Sequence, residues 1–439
     1  MTATATVTHR RIWALALPIL AANLSTPLLG AVDTGVMGHL PEPAYLGGVS
    51  VGALVFSFLY WGFGFLRMGT TGFAAQAHGA GDADELRATL GRPLVLAAGI
   101  GVALILLQWP IGAAAFRIVD APPAVLDHAR TYFEVRIFSA PFALVNYAVL
   151  GWLLGTQRTR HALALQVLLN GANIALDLAL VLGLGMTIAG VALASVLAEA
   201  LAAAAGLALC WRLLTRMGGR WSRARLLDRE RLLAVVRVNR DIFLRTLALI
   251  FAFAYFTARG AAFGEVTLAA NTVLMQFQQF LSHGLDGLAH ATESLVGAAV
   301  GRRDRAMLRR AVRVATLWAL VLAGAAAIVF AVGGPLLIAA LTDLDAVRRA
   351  AGTYLPWLVV SPLVSVWAFQ LDGIFIGATR TGAMRTAMLV SLGIYLAACW
   401  TLIPALGNHG LWLALTVFLA ARGATLGVAY PRLVRGAGG

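Results

Sequence analysis

Of 439 residues, 60% are hydrophobic and only 12% charged, and the mean hydropathy is +0.82; a soluble domain has ~45–50% apolar and ~25% charged residues, so this is the composition of a polytopic membrane protein. The formal net charge of +14 raises the question of nucleic acid, but the arginines are scattered over short loops, and no polar segment is long enough to build a soluble basic face. Cys210 and Cys399 both lie in apolar stretches without metal-ligand spacing, which argues against a disulfide framework and a zinc site.

Twelve apolar spans, each near the ~20 residues that a bilayer requires, are predicted at 12–38, 46–74, 91–117, 125–154, 161–183, 188–214, 241–263, 268–299, 311–341, 350–377, 383–403 and 410–430. The first follows His9, Arg10 and Arg11 and is too long for a cleavable signal, so it is expected to remain as an anchor. It carries Pro18, which frees one backbone carbonyl and permits a kink, although membrane helices also tolerate such prolines without any switching. Asp33 follows fifteen residues later. An intramembrane carboxylate is a functional candidate by default, yet Asp33 also fits a place at the outer end of its helix, ~31 Å from Ile12 at ~1.5 Å per residue.

Asn146 and Gln166 are polar positions in the fourth and fifth spans and candidates for lining a cavity. Asn173 and Asp177, four residues apart, share one helical face, with an interhelical hydrogen bond as the plain alternative for Asn173. The longest polar stretch, 215–240, is rich in arginine and includes Trp221, Leu226 and Leu227. It reads either as an amphipathic helix on anionic lipid or as a solvated basic linker. In the eighth span, His283, Asp286, His290 and Glu293 form one stripe at steps of three, four and three. That stripe offers a second protonation site or contacts to a cationic substrate, or else a closed network with Arg245, Arg259 or Asp372. Tyr255 in the seventh span is a further cavity candidate, and Asp372 in the tenth either lines the cavity or pairs with Arg259.

The second half repeats the first at an offset of 222 residues. Gly79, Asp82, Leu86 and Arg87 return as Gly301, Asp304, Leu308 and Arg309; Gly151, Gly155, Arg158 and Thr159 return as Gly373, Gly377, Arg380 and Thr381. The carboxylates do not return: Asp33 maps to Tyr255 and Asp177 to Cys399. Arginines cluster on alternate loops, while Glu42, Asp120, Asp127, Glu265, Asp343 and Asp345 fall on the others, so the positive-inside rule predicts both termini in the cytoplasm. Six spans per half make the repeats parallel, a pattern of secondary transporters. The chain has no lysine, hence no Gly-x-x-x-x-Gly-Lys loop, and no nucleophile elbow, so neither an enzyme nor a cofactor is indicated.

Several local patterns coincide: Pro18 with Asp33; Gly151 through Arg160; Leu169 through Asp177, with Asn170, Gly171 and Asn173; Gly190 through Ser195; and Asp372 through Thr381. In these the chain resembles the multidrug and toxic compound extrusion (MATE) transporters, most closely their DinF-like branch, over essentially all twelve spans. The resemblance implies an all-α polytopic membrane protein of twelve transmembrane helices in two six-helix lobes: an N-lobe at 1–214, a basic cytoplasmic linker at 215–240 and a C-lobe at 241–439. It implies a cation or proton site of Asp33, Asn173, Asp177 and Ser195, where many relatives have threonine instead of serine. It further implies a bacterial inner-membrane antiporter, expected to be monomeric, that exports organic cations or amphiphiles in exchange for protons by alternating access, with Pro18 as hinge. Na⁺ at Asp33, Asn173 and Asp177 is the alternative ion. A lipid-linked precursor flippase, favoured by Arg67, Arg136, Arg245 and Arg259, and a non-transporting membrane scaffold or sensor remain the rival functions.

Overall fold

The computed structural model describes residues 7–37 and 43–437, and of residues 24–37 and 43 the backbone only. Among the described residues every regular element is helical. In chain order they are α1 (His9–Met37), α2 (Pro43–Gly62), α3 (Phe65–Ala80), α4 (Ala83–Leu106), α5 (Gln108–Ile118), α6 (Pro123–Arg136), a 3₁₀ turn (Ile137–Ser139), α7 (Ala140–Gly155), α8 (Thr159–Asp177), a π turn (Leu178–Gly183), α9 (Ile188–Met217), α10 (Arg223–Leu226), α11 (Arg229–Ala261), α12 (Glu265–Gly301), α13 (Arg305–Leu341), α14 (Asp345–Gly377), α15 (Thr381–Leu406) and α16 (Asn408–Gly436).

Each expected span falls on these helices. Ten segments of the described residues are long and apolar enough to cross a membrane. The other two expected spans correspond to α1 and to α12, whose Asn271, Gln276, Gln278, Gln279, Asp286 and Glu293 lower its hydropathy. At 29 and 37 residues, both exceed the ~20 needed to span.

The chain divides into two compact units, Ala21–Val236 (the N-unit) and Met1–Leu20 with Arg237–Gly439 (the C-unit). This division differs from one at 214 and 241, because the start of α1 packs with the second half. Trp13 meets Trp318 edge to face at 5.1 Å, Trp318 Nε1 donates to His9 Nδ1 at 3.0 Å, and Arg310 Nε donates to the Val7 carbonyl at 2.8 Å.

Within each unit the repeated glycines mark a close helix crossing. A Cβ on Gly155 would lie 2.6 Å from the Thr71 carbonyl oxygen and 2.9 Å from the Ala75 nitrogen, so α7 approaches α3 backbone to backbone, as small-residue interfaces permit. At the same offset, Gly377 of α14 abuts the Glu293 carbonyl of α12, and Gly373 that of Ala289. Turns repeat as well. Asp82 accepts from the Glu85 N–H and Asp304 from the Met307 N–H, at 3.0 and 2.8 Å, each capping a helix N-terminus. Gly81 and Arg303 both take positive φ, as do Gln157 and Thr379. The backbone thus keeps the repeat even where Arg303, Gln157 and Thr379 pay the steric cost of the left-handed region.

The units differ in how straight their helices run. In the N-unit α2 and α3 are separated by a turn at Phe63 and Gly64, α4 and α5 meet at Leu107, α6 passes into a 3₁₀ turn before α7, and α8 widens into a π turn directly after Asp177. Pro110 and Pro141 explain two of these breaks, since a proline ring clashes with the carbonyl four residues earlier. The counterparts α12, α13, α14 and α15 are continuous.

The stretch 215–240 forms no long amphipathic helix. The long helices absorb most of it, leaving α10, a single turn, in a strap docked on α4. Trp221 and Leu226 pack where a Cβ on Gly91 would lie, 3.2 and 2.6 Å away. Arg87 donates to the Leu214 and Gly218 carbonyls at 2.8 and 2.6 Å, Arg225 pairs with Asp82 at 2.6 Å, and Arg231 and Arg92 pair with Glu85 at 2.7 and 2.8 Å. Burial pushes the Asp82 carboxyl up, but the Glu85 N–H and Arg225 outweigh it and hold the group below the usual carboxylate range.

Candidate functional site

The N-unit gathers the polar groups of its membrane helices around α8 and α9. On α8, Gln166, Asn170, Asn173 and Asp177 follow at steps of four, three and four, one face of the helix. Asp177 is fully buried and Asn173 is 3% exposed. Asn173 Nδ2 donates to Ser195 Oγ of α9 at 3.3 Å, and Gln166 Nε2 to Asn170 Oδ1 at 3.0 Å. The structure therefore brings Asn173 and Ser195 into contact, one turn from Asp177. The side chain of Asp33 lies outside the described residues; its backbone belongs to α1, as does that of Pro18.

Arg136, the last residue of α6, joins this group. Its Nη1 donates to Ser195 Oγ at 3.2 Å and to the Tyr132 hydroxyl, and its guanidinium lies 5.4 Å from the ring centres of Phe56 and Tyr132. Tyr60 and Ser139 share a 2.7 Å hydrogen bond that ties α2 to the 3₁₀ turn.

One turn beyond Ser195, Glu199 faces a cavity of about 80 Å³ lined by Tyr60, Asn146, Tyr147 and Gln166 among apolar side chains. Asn146 Nδ2 donates to Glu199 Oε2 at 2.6 Å and to the Glu199 carbonyl at 3.0 Å. Asn146 of α7 and Gln166 of α8 both line this cavity. Glu199 was not singled out from sequence, although a carboxylate in the alanine-rich sixth span, four residues after Ser195, carried the signal on its face.

In the C-unit the counterparts of Asn173, Asp177, Ser195 and Glu199 are Tyr395, Cys399, Val417 and Ala421. Its charges pair among themselves instead. Asp372 accepts from Arg245 of α11 and, at 2.8 Å, from Arg422 of α16. Of the two alternatives for Asp372, the pair with Arg259 is replaced by these partners, because Arg245 of α11 and Arg422 of α16 reach it. Arg422 lies 5.9 and 5.8 Å from the rings of Phe369 and Phe418 and feels the charge of Asp286. Along the α12 stripe His283 Nδ1 bonds the Gln279 carbonyl at 2.8 Å, and His290 lies 3.3 Å from the fully buried Glu293. Tyr255 packs on Phe251 and Tyr395, at 6.0 and 6.1 Å between ring centres.

The MatE family profile matches residues 18–179 and 242–401, once in each half. The chain is 44% identical over 427 residues to DNA damage-inducible protein F of Escherichia coli K12, covering 97% of this chain and 93% of that protein. It is 24% identical to the probable multidrug resistance protein NorM of Geobacillus kaustophilus, covering 94% and 92%. An outward-facing structure of a multidrug resistance MATE family transporter superposes with a TM-score of 0.86 at 21% identity, covering 98% of this chain and 96% of that one. With both halves matched, and one relative alike over nearly its whole length, the chain belongs to the MatE family: it is a multi-pass membrane transporter, not an enzyme.

Proposed function

We propose that the chain is an antiporter of a bacterial inner membrane, with both termini cytoplasmic, which exports organic cations or amphiphiles by alternating access in exchange for protons. The observation that carries this reading is the one-sided chemistry of the repeat. Buried Asp177 with Asn173 and Ser195 on α8 and α9 has only Tyr395, Cys399 and Val417 as counterparts, and an acid buried within a membrane helix is costly and marks a functional site by default. Charge neutralisation at Asp177, with Asp33 on the same unit, gives the two conformations different affinities for a cationic substrate, which is what coupling requires. Multidrug resistance in the names of the relatives supports organic substrates. Supporting Pro18 as hinge, the boundary between the compact units crosses α1 at Leu20, two residues beyond it. The flippase reading loses weight because Arg245 is held by Asp372 and so adds little free positive charge.

The test uses purified protein in proteoliposomes with an imposed pH gradient and a fluorescent organic cation, with and without Na⁺. Gradient-driven uptake in Na⁺-free buffer, lost in Asp177→Asn, is expected. Strict Na⁺ dependence would assign the same oxygens to sodium, and no uptake under either condition would overturn the antiporter.

A further inference from the structure

The N-unit holds one carboxylate too many for the site just described. Glu199 lies on the same face of α9 as Ser195, one turn on, but its side chain faces its own cavity. About 80 Å³ accommodates two or three waters at ~30 Å³ each, and Tyr60, Asn146, Tyr147 and Gln166 supply polar partners for them. The space is far too small for a drug-sized ligand, which needs ~300 Å³ or more.

We infer that Glu199 is a proton-carrying carboxyl of the transport cycle, separate from Asp177 and linked to it through Arg136. The inference rests on the proton-antiport reading. Three observations support it. First, Asn146 Nδ2 fixes Glu199 Oε2 at 2.6 Å and can donate equally to a carboxylate or to the carbonyl oxygen of the neutral acid, so both protonation states keep this contact. Second, Glu199 and Arg136 act on each other electrostatically, while the same guanidinium donates to Ser195 Oγ, which also accepts from Asn173. Arg136 thus stands between Glu199 and the hydrogen-bonded Ser195 and Asn173, one turn from Asp177. Carboxyls that influence each other through such intermediate groups titrate as a coupled pair. Third, the remaining groups facing Glu199 do not compete for the proton. Tyr60 of α2 and Tyr147 of α7 are phenols, and α8 contributes only Ala162, Leu165, Gln166 and Leu169 to the wall.

The step is a simple transfer. A water in the cavity gives a proton to Glu199 Oε1 or Oε2 and takes one in turn from bulk, leaving a neutral acid. Arg136 then loses its counter-charge on that side and turns its full field on the Ser195 and Asn173 group next to Asp177. When Glu199 returns its proton to water, the field is shared again. Protonation of one carboxyl thereby lowers the proton affinity of the other.

The experiment is pH-difference infrared spectroscopy on the purified full-length protein, comparing wild type with Glu199→Gln, Glu199→Asp and Asp177→Asn. A carbonyl band of a protonated buried acid should vanish in Glu199→Gln, reappear at a different midpoint pH in Glu199→Asp, and persist with a shifted midpoint in Asp177→Asn. An unchanged set of bands in Glu199→Gln overturns the inference; so does an unchanged midpoint in Glu199→Asp, which serves if the glutamine variant fails to fold. A second arm follows proton release when tetraphenylphosphonium is added. Absence of release in wild type would sink the antiport reading as a whole. Equal release from wild type and Glu199→Gln would sink only the role of Glu199, for which one proton fewer is expected.

Discussion

Gly155 is the position where the repeat is most exposed to a minimal change. Replacing it by alanine adds one methyl group, which would lie 2.6 Å from the Thr71 carbonyl oxygen, 2.8 Å from Ala74 Cβ and 2.9 Å from the Ala75 nitrogen. All three belong to α3 and none can swing aside, so reaching ordinary contact at 3.4 Å or more from 2.6 Å requires α3 and α7 to part by about 0.8 Å, an overpacking that typically costs ~1–3 kcal/mol. Gly171 on α8 is the control: a Cβ there meets nothing within 4 Å, and alanine should leave stability unchanged or raise it by up to ~1 kcal/mol through helix propensity. Thermal unfolding of the two purified variants in detergent, followed by intrinsic fluorescence, is the assay. Gly155→Ala should unfold clearly below wild type, and Gly171→Ala at or above it. The same midpoint for both variants would refute the claim that close crossing, not turn geometry or chance, accounts for the repeated glycines.

Asp372→Asn should leave the buried cations Arg245 and Arg422, 7% and 3% exposed, without their shared anion, at a cost of ~3–5 kcal/mol; a denaturation midpoint equal to that of wild type would contradict the pairing. On the polar face, the Asp82 carboxyl ordinarily titrates near 3.8 and is held lower in the folded protein. Its pairing with Arg225 therefore contributes fully above that value and is lost as pH falls through the lower folded value. Strap release, read from Trp221 fluorescence in a variant retaining that tryptophan as reporter, should begin only below about pH 4. In Asp82→Asn the strap should be loosened at every pH, by a modest amount because both side chains are a third or more exposed. A wild-type transition centred near neutrality would exclude Asp82 as its origin.

Much of this protein was legible before any coordinates. Hydropathy located the ten segments of the described residues that are long and apolar enough to cross a membrane, because a bilayer demands apolar helices of near-fixed length, and the offset of 222 residues predicted a duplicated backbone that the paired crossings at Gly155 and Gly377, the caps at Asp82 and Asp304 and the matched positive φ angles then displayed. Asn173 and Asp177 could be placed on one face since helical spacing is local. What the local pattern could not contain is which cation meets which anion. Asp372 chose Arg245 and Arg422 over Arg259, the arginine-rich strap docked on the end of α4, and Arg136 of α6 met Ser195, and Asn146 of α7 met Glu199, only because α9 turns that face toward α6 and α7. Periodicity is a property of consecutive residues, so the sequence by itself determines the helices and their symmetry. Charge pairs such as Arg422 with Asp372 and Arg225 with Asp82 join residues 50 and 143 positions apart, and only the packed tertiary structure decides those.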